Sequence, residues 1–342
     1  MRIVDSHFHW WPRSVFEAVC KRSGHPRAVR NARGGYTYWR KDGEAPIYDL
    51  GPEWFDLDAQ LAHMDTLGFE VDVVCSIGPF AAHFSDIPPE EGREMAMMWN
   101  EEMAGAQRRH PDRLWASGAI PLSDPRIAVE VLEHAMGELD LIGVNMPGSV
   151  GDHGRIDDPA LEPFYERAEA LGATLFVHPT DTMFRDSLEG YDGALYLSLG
   201  RVIDVSVAAY RLVLSGIMER HPGLKIYMSH TGGALPYQSG RMDKNSRKAN
   251  LPLPPSTYLK RMYTDTVSPH TAGIRFAVEY YGVDHVMYGS DYPCWTPATA
   301  LELFHEIGLS IEDQEKILNL NARRVLNLKD RGATAGSRIA AA

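Results

Sequence analysis

One repeated alternation limits the fold more than any other feature of the chain. Short β-branched or aromatic runs recur eight times, at residues 3–6, 71–77, 114–120, 141–146, 174–178, 225–229, 262–266 and 285–290. Most are continuous apolar runs, as parallel strands buried on both faces require. Helical periods lie between them. Residues 58–67 set Leu61, Met64 and Leu67 on one face, and 127–139 repeat the pattern behind a Ser-Asp-Pro turn. Residues 159–171 open with Asp158 as N-cap and Pro159 at the first helical position. A longer apolar helix, 201–220, stops at His221-Pro222-Gly223. Eight strand–helix repeats predict an α/β fold of one kind, a closed (β/α)8 TIM barrel, over an open sheet.

A barrel of this type needs about 250 residues, and the chain has 342. Part of the surplus falls after the first strand, between about 20 and 52. There GGYTYWRKDGEAPIY places Lys41-Asp42-Gly43 as a turn between two aromatic arms. This reads as a small inserted hairpin over the barrel mouth, or as a decorated surface loop. The expected organisation is a single barrel over 1–328. The small, polar stretch 329–342 is expected to be a disordered tail.

Charge and cysteine content exclude several function classes. Lys and Arg total 34 against 46 Asp and Glu, a net charge of −12. A nucleic-acid binder needs clustered cations, so that class is excluded, whereas a cationic pocket for a small anion is not. No apolar run approaches the ~18 residues of a membrane span, and the first residues, MRIVDSHFHW, do not read as a leader. Cys20, Cys75 and Cys294 are too few for a disulfide framework. The expectation is a cytoplasmic protein with no membrane partner.

The strand ends carry the chemistry. The first strand ends in Asp5-Ser6-His7-Phe8-His9, and strand alternation points His7 and His9 the same way. The fifth ends at His178-Pro179, the sixth at Ser229-His230-Thr231-Gly232-Gly233, and the eighth at Gly289-Ser290-Asp291-Tyr292-Pro293. In a closed barrel the eighth strand neighbours the first, so Asp291 lies beside His7 and His9, and His178 faces them across a narrow interior. Imidazoles and a carboxylate gathered at one mouth are the donors of a divalent metal ion. They suit zinc best and manganese next. The alternative is a set of buried polar residues capping a barrel layer. The fourth strand ends in Val144-Asn145-Met146-Pro147, with no lysine to bridge a second ion, so one ion is expected. Aromatics near the strand ends, among them Trp10, Phe80 and Trp295, are candidates to line an apolar substrate pocket. Cys294 reads as a small buried residue.

These motifs resemble the amidohydrolase superfamily. Asp-x-His-x-His, Val-His-Pro, Ser-His-x-Gly-Gly and Gly-Ser-Asp-Tyr-Pro are similar to those of its aminocarboxymuconate-semialdehyde decarboxylase branch. The resemblance implies metal ligands His7, His9, His178 and Asp291, and no organic cofactor. It places His230 off the metal as a proton-handling residue, with Asp291 also catalytic. It implies that Arg241 binds a substrate carboxylate in the neighbouring subunit of a homodimer. Residues 47–56 lack an arginine that the aminocarboxymuconate enzyme carries, and Arg185 is the candidate replacement cation. The expected activity is decarboxylation of a small aromatic or unsaturated carboxylic acid. The alternatives are a hydrolase of an amide, lactone or C–C bond on the same scaffold, and a non-catalytic binding barrel.

Overall fold

All eight predicted strands are present, and they run parallel. The computed structural model describes residues 2–67, 71–150, 155–180, 184–247 and 249–328. The expected tail, 329–342, lies outside the described residues. The barrel strands are β1 (Ile3–Phe8), β5 (Val71–Ser76), β6 (Leu114–Ala116), β7 (Gly143–Pro147), β8 (Thr174–His178), β9 (Lys225–Met228), β10 (Tyr263–Asp265) and β11 (Val286–Met287). Two hydrogen-bonded arcs, β1-β5-β6 and β11-β10-β9-β8-β7, make up the wall. Gly118 bridges to Val144 and joins β6 to β7. Phe8 bridges to Tyr292, and Ser6 N donates to Tyr288 O at 2.9 Å, which joins β11 back to β1.

Alternating strand positions fill the interior. Val4, Cys75, Ile77, Trp115, Ile142, Phe176, Tyr227 and Met287 pack as one cluster, with Ala322, Val325 and Leu326 against it. Packed side chains therefore close the barrel below the mouth, and chemistry is confined to the strand C-terminal ends. Outside, helices cover the sheet. Asp158 accepts from Ala160 N at 2.9 Å, and helix Glu162–Leu171 follows. The expected 201–220 helix is interrupted by Gly216, whose φ of 79° ends helix Arg201–Leu214 and starts Ile217–Arg220. Among the described residues no helix is long and apolar enough to cross a membrane.

The inserted segment is a three-stranded antiparallel sheet of β2 (Arg27–Arg30), β3 (Tyr36–Trp39) and β4 (Tyr48–Leu50). The expected hairpin is the β3–β4 pair, and β2 adds a strand the sequence did not reveal. Tyr36 and Tyr38 are fully buried and pack against Phe16, Phe55 and Phe80. The sheet is fastened at the mouth by Tyr38 Oη on His83 Nδ1, 2.9 Å.

Candidate metal centre

A bulge in β1 prepares the site. Asp5 pairs with Val74 and Phe8 with Ser76, so β1 gains one residue on its neighbour. Ser6 meets Tyr227 Oη in the interior at 3.0 Å, and the extra residue then re-aims the chain toward the mouth. His7 and His9 emerge together, ring centroids 5.0 Å apart. His178, at the end of β8, sits 5.2 Å from His7 and 5.4 Å from His9. Asp291 follows β11 with φ of 59°, a left-handed turn that costs a non-glycine residue energy. The turn places its Oδ1 at 2.9 Å from His9 Nε2 and 3.4 Å from His7 Nε2. One donor atom from each of the four residues lies within 4.8 Å of the others, and all four residues are buried.

The other ring nitrogens are already engaged, and this sets the tautomers. His7 Nδ1 faces Asp265 Oδ2 at 2.7 Å. His9 Nδ1 faces Ile77 O and His178 Nδ1 faces Pro179 O, each at 3.0 Å. Carboxylate and carbonyl oxygens only accept here, so each Nδ1 carries the proton and each Nε2 keeps its lone pair. The Nε2 atoms of His7, His178 and His230 are buried without a hydrogen-bond partner. Buried polar atoms are rarely left so. Three imidazole nitrogens and a carboxylate oxygen around one point, with outer hydrogen bonds fixing their orientation, fit a divalent metal ion.

Electrostatics point the same way. Asp291 is held well below the usual carboxylate range: burial opposes this, but the His7 and His9 imidazoles that face it prevail. Asp265 is also lowered, again against burial, chiefly by its bond to His7. Two buried ionised carboxylates need compensating positive charge. Burial would lower His7, yet Asp265 and then Asp291 raise it to about 10. A divalent cation among the Nε2 atoms answers the same demand without protonating the imidazole. His230 is pushed down to about 4, mainly by burial, so it is a neutral base near pH 7.

His230 lies 5.2 Å from His7 and 5.1 Å from His178, ring to ring. It and Thr231 both have φ of 55°. Asp265 holds this turn, accepting from His230 N at 3.1 Å and Thr231 N at 3.0 Å. Sequence reasoning missed Asp265. Its signal was available: it is the last residue of the seventh barrel strand, the position that supplies site residues on the other strands.

The remaining candidates divide. Arg241 is exposed on helix Leu235–Asn245, outside the group formed by its own chain. The Arg185 guanidinium lies over the Tyr196 ring at 5.3 Å. Trp295 is 36% exposed at the rim. Trp10 does not join the ligands: it lines a separate cleft with Arg13, Asp58 and His110. Alternation explains the correction, because Trp11 shares the phase of His7 and His9, and its ring is 6.1 Å from His9. Trp54, also missed, stacks on His9 at 5.8 Å. Phe80 is fully buried, stacked on Phe16 at 4.4 Å, and belongs to the core behind the site. Cys294 is exposed, which corrects the buried reading.

Comparison with known proteins agrees with this geometry. A family model described as amidohydrolase matches residues 4–328. The gamma-resorcylate decarboxylase of Rhizobium radiobacter is 30% identical over 292 residues, covering 80% of this chain and 88% of that protein. The 2-amino-3-carboxymuconate-6-semialdehyde decarboxylase of Dictyostelium discoideum is 24% identical, covering 82% and 79%. The crystal structure of 2,6-dihydroxybenzoate decarboxylase from Rhizobium superposes with a TM-score of 0.77 at 25% identity, covering 96% of this chain and 99% of that one. With its strand-end histidines and aspartate set on a closed parallel barrel, the chain belongs to the amidohydrolase family.

Proposed function

We propose that the protein is a metal-dependent decarboxylase of a small aromatic carboxylic acid. The observation that carries this reading is the convergence of His7, His9 and His178 with Asp291 within 4.8 Å, in a chain whose relatives are decarboxylases. His7, His9, His178 and Asp291 would hold one divalent ion. The imidazole-rich donor set favours zinc, with manganese the second choice. Bound there, the ion would supply Lewis-acid charge for the carboxylic acid.

The chain's own residues do the rest. Trp54, half-buried beside His9, is the aromatic suited to meet a substrate ring, while Trp11 packs behind it on Phe16. Loss of CO2 breaks the bond between the ring carbon and the carboxylate carbon. The electron pair stays on the ring carbon, and a proton takes the place of CO2. We assign the relay of that proton to Asp291, which is ionised at rest and so first takes it from an acidic O–H of the bound acid before passing it to the ring carbon. His230, neutral near pH 7, accepts and returns protons at Nε2.

Arg241 would complete the site from a second copy. Tyr237, one turn earlier on the same helix face, is 79% exposed, and its ring is 6.4 Å from that of Phe276. An exposed aromatic pair beside an unburied arginine suits an isologous contact, and a guanidinium can take a carboxylate through two hydrogen bonds. Mixing His178→Ala with Arg241→Ala chains should then restore activity that neither has alone; no restoration would remove Arg241 from the site. Three free cysteines, Cys20, Cys75 and Cys294, accord with a reducing cytoplasmic setting. The activity itself is tested by CO2 release over a panel of hydroxybenzoates and muconates, run beside ester and amide panels. Hydrolysis without CO2 release would overturn the decarboxylase reading.

A further inference from the structure

The ligand His178 has no carboxylate on its Nδ1, unlike His7. Its Nδ1–H donates to the carbonyl of Pro179 at 3.0 Å. That carbonyl shares one rigid peptide unit with the N–H of Thr180, and in a trans peptide the two point in opposite directions. On the far side, Thr180 N donates to Asp204 Oδ2 at 2.7 Å, and Thr180 Oγ1 donates to the same oxygen at 3.1 Å. A carboxylate, a peptide unit and a ligand imidazole therefore stand in line.

The surroundings hold this line in place. Asp204 is fully buried, in the first turn of helix Arg201–Leu214. A Cβ on Gly148 would meet its carboxyl carbon at 2.5 Å, so the exit of β7 packs directly on it. Gly148 N donates to His178 O at 3.1 Å and secures the ligand's own carbonyl. The next peptide unit is fixed from the opposite direction. Thr180 O accepts from His83 Nε2 at 2.9 Å, and His83 Nδ1 accepts from Tyr38 Oη of the inserted sheet. Both faces of Thr180 are thus claimed.

We propose that Asp204 is a positioning residue for the metal ligand His178, acting through the Pro179–Thr180 peptide. It orients that peptide so that its carbonyl receives the imidazole N–H, which aims Nε2 at the metal. Its negative charge polarises the peptide and strengthens the carbonyl as an acceptor, which raises the donor strength of Nε2. Asp204 does for His178 through one peptide what Asp265 does for His7 by direct contact. The inference rests on the metal-centre reading above.

The test is metal affinity, read by chelator competition with Zn2+ and with Mn2+ on the full chain. Asp204→Asn keeps an oxygen for Thr180 N–H and removes the charge. It should weaken binding by roughly tenfold, the low end for outer hydrogen-bond partners of a ligand, with thermal stability near wild type. In protein labelled with 15N-histidine, the His178 Nδ1–H resonance should move upfield in the same variant. Asp204→Glu should restore part of the affinity. Wild-type affinity and an unshifted resonance in Asp204→Asn would overturn the proposal, leaving Asp204 as a helix-end acceptor only. His178→Ala separates the two readings. If it loses the metal while Asp204→Asn does not, only this proposal fails. If it binds metal as wild type does, the metal-centre reading fails with it.

Discussion

His7 and His178 aim the same atom at the same point from opposite walls of the barrel, but their surroundings push them in opposite directions. His7 hydrogen-bonds a carboxylate. Burial alone would lower it, but Asp265 and Asp291 raise it to about 10. His178 hydrogen-bonds only a carbonyl, and burial followed by the neighbouring imidazoles puts it well below the usual histidine range. The first wall demands a cation, whether proton or metal. The second offers a neutral nitrogen that does not compete for a proton. One ion between them satisfies both.

The largest expected effects break the ligand set itself. His178→Ala or Asp291→Ala should abolish activity and weaken metal binding more than a hundredfold, beyond the ~10–100-fold typical of outer partners. His230→Ala should keep the metal and lose about 10²–10⁴ in kcat, the usual share of general acid–base catalysis. Metal analysis and steady-state kinetics on the three variants check this. Full activity in all of them would end the assignment. Next in size, Asp265→Asn removes the charge behind His7 and should cost about 10–100-fold in metal affinity. A smaller loss there than in Asp204→Asn would reverse the contrast between the walls.

The smallest effect is the pH profile of the chelator-stripped protein. His7 has its folded pKa raised from 6.5 to about 10, so its contribution to stability is complete below 6.5 and is lost as pH rises through 10. His230, lowered to about 4, contributes fully above 6.5 and loses that contribution as pH falls toward 4. Thermal melts between pH 5 and 9 should therefore peak near 6.5, and adding metal should flatten the alkaline limb. A Tm that rises steadily to pH 9 would contradict the charged-wall description.

The grouping of His7, His9, His178 and Asp291 was legible because each stands at or just beyond the C-terminal end of a barrel strand, and Thr174–His178 matches the expected strand to the residue. The rest was hidden for physical reasons. Trp10 alternates with His9 along the chain and so turns to a cleft with Arg13, Asp58 and His110. Phe80 lies in a 3₁₀ stretch, Pro79–Asp86, that turns it into the core, and no periodicity announces such a turn. Helix Pro89–Arg109 escaped because its buried face is interrupted by polar residues. Asn100 accepts from Ala119 N at 2.6 Å and Gln107 accepts from Ala116 N at 2.8 Å, so they serve the edge of β6 instead of extending an apolar stripe. Strand β2 buries only Ala28, which leaves nothing to distinguish it from a loop. Asp265 and Asp204 touch the ligands at one remove, and a single acid in a strand or helix makes no motif.

The short β11 has a consequence for how long the folded molecule lasts. Its two residues give the barrel its slightest strand, and closure there falls to a bridge between Phe8 and Tyr292 and to backbone bonds from Ser6 N to Tyr288 O, Asp291 N to His7 O and His9 N to Tyr292 O. His9 and Asp291 stand on either side of that seam, 282 positions apart in the chain. An ion held by both, as proposed, would rivet the beginning of the polypeptide to its final third. The chain-entropy estimate for a cross-link closing a loop of that size is roughly 5–6 kcal/mol. Metal supply would then govern how often the seam opens, and with it exposure of the first strand to exchange and proteolysis, so a starved cell would lose the protein as well as its activity.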